Sequence, residues 1–146
     1  MSCLVLKASL AWLVAGVTLG VSMALAPSLT AYRAAHIHML LLGFVTGMIF
    51  GVGYHVFPRF GGRTLHSPRL VLPHWWLANI GVGAMAAAFV LRAEGVAGAV
   101  VLLGAGGSAS AMGAYLFAYN VWRTLSVAAP RPAPSRRAGA LPLIGG

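Results

Sequence analysis

Two histidines, His36 and His38, stand with one residue between them near the start of a long apolar run, AHIHMLLLGFVTGMIFGVGYHVF. Ionisable side chains inside an apolar helix are costly, so they indicate a functional site. Residues two apart on an α-helix point about 200° apart around its axis. The two imidazoles therefore cannot hold one metal ion together while the backbone stays helical, and each needs a partner from another helix. A simpler explanation stays open, in which both rings bond to headgroups or loop carbonyls at a membrane interface.

The ligands at hand favour haem over zinc. A closed zinc site takes four ligands, and neither a carboxylate nor a cysteine accompanies the pair. Cys3 is the only cysteine, which also excludes an internal disulfide. Haem takes one or two axial imidazoles in an apolar slot, and Phe44 and Phe50 follow on the same run as possible walls. The sequence contains no C-x-x-C-H motif, which excludes c-type haem and points to haem b.

The composition places most of the chain in lipid. Of its 146 residues, 60% are hydrophobic and 8% are charged, and the mean hydropathy is +0.87. A soluble domain of this size cannot bury that much apolar surface. The net charge of +9 comes from 10 Lys and Arg residues, which lie mainly between the apolar runs and near the C-terminus. Such placement is typical of charges that set membrane topology and argues against nucleic-acid binding.

Four apolar segments are long enough to cross a bilayer, which takes roughly 20 helical residues. They cover about residues 4–26, 35–57, 71–91 and 95–121. Turn residues, Pro27 and Gly95 among them, separate the segments. We therefore predict an all-α membrane protein with four transmembrane helices in one domain, residues 1–125. The Pro-, Arg- and Ala-rich remainder, 126–146, predicts a disordered tail.

Glycines recur at four-residue spacing on the second predicted helix, at Gly43, Gly47 and Gly51. Small residues at this spacing are typical of close helix–helix contacts in membranes. The glycines could also let a flat ring such as haem approach the backbone. The fourth predicted helix carries a further set of small residues, which also predicts close packing.

The arginines predict the orientation in the membrane. Seven fall on the side of the second loop and the C-terminus: Arg59, Arg63, Arg69, Arg123, Arg131, Arg136 and Arg137. Only Arg33 and Arg92 fall on the other side. The positive-inside rule then places both termini in the cytoplasm, which predicts a multi-pass protein of the bacterial cytoplasmic membrane. His36 and His38 lie in the outer part of the second helix in this topology.

Four short motifs follow one another in a defined order along the chain. They are H-x-H at His36 and His38, F-P at Phe57 and Pro58, G-R-T-L at 62–65 and H-x-W-L at 74–77. In this order they are specific, and the run from Ala35 to about Leu91 resembles the tenth and eleventh helices of subunit I of the haem–copper oxidases. In that family, the first histidine of the pair ligates the high-spin haem and the second the low-spin haem.

The resemblance implies that His36 and His38 are axial ligands of two different haems. It also implies that Arg92, helped by Arg33, binds haem propionates on the outer side. The chain departs from the family elsewhere, because the three further histidines of the copper site are missing and Glu94 is the only carboxylate. Oxygen reduction coupled to proton pumping is therefore not expected of a single chain, and whether the protein is an enzyme stays open.

Subunit I of these oxidases resembles three four-helix arcs around a pseudo-threefold axis, and four predicted helices make about one arc. A homotrimer would rebuild the ring, with a haem at each interface held by His36 of one protomer and His38 of its neighbour. A dimer with two shared haems is an alternative. Two imidazoles leave the iron no open position, which favours one-electron transfer with an unidentified redox partner.

Two other functions stay open. One is a haem- or gas-binding sensor or accessory protein with five-coordinate iron, and the other is a structural membrane subunit whose histidines bind nothing. The three remaining histidines, His55, His66 and His74, are interpreted as solvated loop residues rather than as an inner metal or haem site. Asn79 is expected to bond to a neighbouring helix.

Overall fold

The computed structural model describes residues 2–60 and 62–126, and these residues form a helical bundle. Four of its helices are long and apolar enough to cross a membrane. We number them as spans 1 to 4: Cys3–Leu25, Pro27–Phe60, Pro68–Ala93 and Ala99–Ser126. The predicted all-helical class and the four crossings are confirmed. Of the predicted tail, 126–146, only Ser126 is among the described residues, and it ends the fourth span.

Span 1 is a single α-helix, α1 (Ser2–Leu25), whereas span 2 is composite. Span 2 consists of a 3₁₀-helix at Pro27–Tyr32, α2 at Arg33–His38, a π-helix at Met39–Thr46 and α3 at Gly47–Phe60. Span 2 starts eight residues earlier than predicted, because a 3₁₀-helix begins at Pro27. Proline has no backbone N–H, but the first residue of a helix does not need one for an intrahelical hydrogen bond. The wide π-helical turns begin directly after His38, a location that often marks a functional segment.

Span 3 starts with a short 3₁₀-helix, Pro68–Leu70, and continues as α4 (Val71–Ala93), while span 4 is α5 (Ala99–Ser126). The prediction placed the start of the last helix at 95. Gly95 and Gly98 instead adopt φ angles of +73° and +81°, in the left-handed region that glycine tolerates best. These two residues turn the chain between spans 3 and 4, so the helix starts after them.

The spans pack in chain order, with span 2 against span 1, span 3 against span 2 and span 4 along span 3. The contact between α4 and α5 is made by small residues, as predicted. A Cβ atom on Gly81 would lie 2.5 Å from the backbone N of Ser110 and 2.7 Å from the backbone O of Gly106. Because lipid provides no hydrophobic force between helices, such close backbone contact supplies much of their association.

Polar side chains tie the spans together at two levels. Trp12 Nε1 on span 1 donates to Asn79 Oδ1 on span 3 at 2.9 Å, which confirms that Asn79 bonds to a neighbouring helix. Asn120 on span 4 is buried and exchanges two hydrogen bonds with the backbone of Ser67, at 2.8 and 2.9 Å. The connection between spans 2 and 3 is thereby fixed to span 4.

Replacing Gly81 by alanine is expected to lower the free energy of unfolding by about 1–3 kcal/mol, the range for overpacking a well-packed contact. The added Cβ meets backbone atoms, which move only if the two helices separate. Reversible unfolding in mixed detergent micelles measures the change. The control is Gly104→Ala on α5, where nothing lies within 4 Å of the added atom. Equal effects of the two substitutions would contradict the close α4–α5 contact.

Candidate functional site

The ring of His36 lies against span 1. Its Nδ1 is 2.8 Å from the backbone O of Gly16. Because a carbonyl oxygen only accepts, Nδ1 carries the proton and Nε2 keeps its lone pair. The ring fits there because Gly20 has no side chain: a Cβ on Gly20 would lie 2.7 Å from His36 Cε1.

The ring of His38 lies on the other side of span 2. Its Nδ1 is 2.8 Å from the backbone O of Ala34, one helical turn back, so Nδ1 is again the protonated nitrogen. The ring packs on Phe89 of span 3, with ring centroids 4.6 Å apart and planes inclined at 39°. Both histidines therefore present Nε2 as the atom available to an external ligand.

The pair diverges as its spacing predicts, with His36 facing span 1 and His38 facing span 3. Both side chains are half-buried. Within residues 2–60 and 62–126, no group of three or more His, Cys, Asp or Glu residues converges as a metal site. Any metal ligated by His36 or by His38 thus needs further ligands from outside these residues or from other chemical groups.

An open groove of about 490 Å³ adjoins His36, at the end of the bundle where span 1 connects to span 2. Its lining combines apolar side chains with one cation: Met23, Ala24, Thr30, Arg33, His36 and Ile37. The exposed Arg33 thus shares the groove with His36. Arg92 is exposed in the last turn of α4, three residues beyond Phe89 and hence about 4.5 Å further along the helix.

A hydrogen bond closes the bundle near the same end. The hydroxyl of Tyr32, at the start of span 2, donates to the carboxylate of Glu94, directly after span 3. This contact holds the start of span 2 against the end of span 3, the two segments that carry His38 and Phe89. Glu94, the only acidic residue in the sequence, is therefore bonded to Tyr32.

The residues expected to line a flat ring divide into two groups. Gly43 and Gly47 face span 1, where an added Cβ would collide with the side chains of Trp12 and Ser9. These glycines allow close packing of spans 1 and 2, and this contact does not support their predicted place beside a cofactor. Phe44 is half-buried on the π-helix. Phe50 packs edge-on against His74, with centroids 4.6 Å apart, and not against the histidine pair.

His74 differs from the expected solvated loop histidine. It lies in α4, only 1% exposed, with rings of Phe50, Tyr54 and Phe117 around it. The loop interpretation was wrong: His74 lies within the helix predicted from 71, on the face of α4 that packs against the aromatic rings of spans 2 and 4. His55 and His66 are both exposed; His55 lies in α3 rather than in a loop, and His66 lies in the connection between spans 2 and 3.

Sequence reasoning also missed Gly20 and Phe89, which contact the two imidazoles. Neither residue type is unusual in an apolar helix, so the sequence alone carries no signal for Gly20. Phe89 precedes Arg92 by three residues and therefore lies at the depth predicted for the histidine pair. Its position in the sequence could have indicated a contact with one of the imidazoles.

The donor set fits haem iron. Each histidine has an uncommitted Nε2 among the hydrogen bonds of the described residues, and each Nδ1–H is held by a backbone carbonyl, the usual support of a metal-ligating imidazole. Arg33 offers a guanidinium beside His36 for an anionic group. The groove beside His36 also contains Thr30 and the apolar residues Met23, Ala24 and Ile37, and the ring of His38 packs on Phe89.

No protein-family model matches the sequence. Curated relatives do match. The cbb3-type cytochrome c oxidase subunit CcoN1 of Stutzerimonas stutzeri is 29% identical over 126 residues, covering 69% of this chain and 27% of the relative. Cytochrome c oxidase subunit 1 of Rhodobacter capsulatus is 31% identical over 138 residues, covering 77% and 25%. A cytochrome c oxidase subunit 1 homolog of Bradyrhizobium diazoefficiens is 26% identical over 123 residues, covering 67% and 22%.

Four spans and a diverging imidazole pair define a multi-pass, all-helical membrane protein with two histidine side chains on opposite sides of one helix. Within this class, the chain is similar to subunit I of the cytochrome c oxidases, which confirms the resemblance drawn from its motifs. The chain spans about a quarter of the length of the curated relatives it matches.

In the haem-free protein, we expect both His36 and His38 to be protonated at Nδ1, which ¹⁵N NMR of histidine-labelled protein in nanodiscs measures. Gly20→Ala should displace the His36 ring and abolish its hydrogen bond to Gly16, while the His38 signals stay unchanged. The control is Gly83→Ala, where the added Cβ makes an ordinary 3.7 Å contact with Trp12. Protonation at Nε2 in either ring would contradict the arrangement.

Proposed function

We propose that the protein is a membrane cytochrome that binds haem b through His36 and His38 and transfers single electrons. The observation that carries this proposal is the pair of uncommitted Nε2 atoms on opposite flanks of span 2, each set by an Nδ1 bond of 2.8 Å to a carbonyl. The similarity to cytochrome c oxidase subunit I supports it.

The two ligands of one haem come from two protomers in this proposal. One chain cannot bring both Nε2 atoms to the same iron, because the rings face different neighbouring spans. His36 of one protomer and the partner's His38 together complete the axial pair. The four spans match 22–27% of each relative's length. A trimer is the arrangement we favour.

The arginines near the pair suit the anionic edge of haem. Arg33 shares the groove beside His36, and Arg92 lies just beyond Phe89 on the other flank. A guanidinium binds carboxylate in a fixed geometry and stays charged. Each flank of span 2 therefore combines one imidazole with one arginine, as a propionate-bearing macrocycle requires.

Haem bound by two imidazoles supplies one-electron oxidation and reduction, since no coordination position is left for a substrate. The chain's own residues set the conditions for it. The carbonyls of Gly16 and Ala34 hold the rings in the ligating tautomer. The orientation by charge places both termini in the cytoplasm of a bacterium, which puts the haems near the outer face.

His36→Ala and His38→Ala should each remove most of the haem, because every haem loses one of its two ligands. A pyridine haemochrome assay on the detergent-purified protein measures haem per chain, and the wild type should show a six-coordinate low-spin spectrum. The control is His66→Ala, an exposed histidine whose loss should leave haem content unchanged. Full haem content in both single variants would contradict the assignment.

Native mass spectrometry separates the alternatives. Haem bound only to trimers or dimers supports ligation across protomers, whereas a monomer that retains haem overturns it. Carbon monoxide binding to the reduced protein would indicate an open iron position and hence a sensor. Colourless protein after haem reconstitution would indicate a structural subunit.

A further inference from the structure

Three polar atoms of span 3 are buried without a hydrogen-bond partner among the described residues. They are both ring nitrogens of His74 and Nε1 of its neighbour Trp75. A neutral imidazole has one N–H donor and one lone-pair acceptor, and an indole has one donor. Leaving such groups unpaired in an apolar interior costs free energy, so each calls for an explanation.

A cavity of about 20 Å³ lies beside these residues, between spans 1, 2 and 3. His74 and Trp75 line it, together with Ser9, Asn79 and Phe50 among others. A cavity of roughly 10–15 Å³ is enough for one water molecule, provided that two to four polar groups reach it. The size therefore admits one water and excludes larger ligands.

The neighbouring polar side chains do not satisfy His74 themselves. The hydroxyl of Ser9 donates to the backbone O of Val5 at 3.0 Å, and the amide of Asn79 donates to the backbone O of Trp75 at 2.8 Å. These bonds use the hydroxyl proton of Ser9 and one of the two N–H groups of Asn79, and the oxygen atoms of both side chains keep lone pairs. A ligand that both donates and accepts matches this set.

We infer that the cavity binds one water molecule that bridges His74 and Trp75. The water accepts the N–H of Trp75 and donates to the unprotonated nitrogen of His74 and to Ser9 Oγ. It pairs two of the three atoms, and the N–H of His74 stays among the rings of Phe50, Tyr54 and Phe117. A cation does not match the site, since no charged side chain lines the cavity and the indole presents a donor. The site is separate from the histidine pair, because neither His36 nor His38 lines it.

Radiolytic footprinting tests this site on the full chain in nanodiscs. X-ray irradiation converts bound water to hydroxyl radical in place, which oxidises the side chains next to it. Phe50 and Phe117 both contact His74, but Phe50 lines the cavity and Phe117 does not. Phe50 also lines an open groove of about 260 Å³, whereas Trp75 lines the cavity and not that groove, so oxidation must appear at Trp75 as well as at Phe50. We expect oxidation at Trp75 and Phe50 and none at Phe117, with ¹⁸O incorporated only after long equilibration in H₂¹⁸O.

His74→Phe keeps an aromatic ring but removes both nitrogens, so oxidation at Trp75 and Phe50 should be lost, while His66→Phe leaves it unchanged. The wild-type result decides even if the variant fails to fold. Oxidation of Phe50 no greater than that of Phe117 in the wild type overturns the water site. Undiminished oxidation in a folded His74→Phe variant overturns the role of His74 in holding the water.

Discussion

Two backbone carbonyls orient the histidine pair, since Gly16 O and Ala34 O each lie 2.8 Å from an imidazole Nδ1. A carbonyl oxygen only accepts, so it bonds to a protonated ring nitrogen. The bond therefore selects one tautomer and one ring orientation, and it leaves Nε2 as the remaining basic atom. The proposed ligation of haem across protomers depends on that choice of nitrogen.

Helix packing provides the carbonyl that His36 needs. Gly20 leaves room for the ring on span 1, and Trp12 on the same span bonds to Asn79 on span 3. Because lipid-exposed helices gain little from apolar contact alone, these local fits and hydrogen bonds determine where span 1 sits. The position of the His36 ring therefore depends on how spans 1, 2 and 3 pack together.

The number of crossings and the divergence of the pair follow from composition and helical geometry, and both were predictable. Apolar segments long enough to cross a membrane can be recognised directly in a sequence. The angle of about 200° between the side chains of residues two apart follows from helix geometry. The burial of His74 could not be predicted from the start of its helix, which was placed correctly at 71, because it depends on which rings of spans 2 and 4 close around it. The place of Gly20 opposite His36 depends on the register between two helices, and one sequence alone does not determine that register.

The π-helix at Met39–Thr46 separates the N-terminal part of span 2, which carries the imidazoles, from the C-terminal part, which carries Phe50 and Tyr54. A π-helical turn holds one more residue than an α-helical turn, and one residue corresponds to about 100° of rotation. The segment therefore sets the direction in which the imidazoles point around the axis of span 2, relative to the aromatic residues that surround His74. Shortening this segment by one residue would swing one end of the helix by roughly a quarter turn against the other.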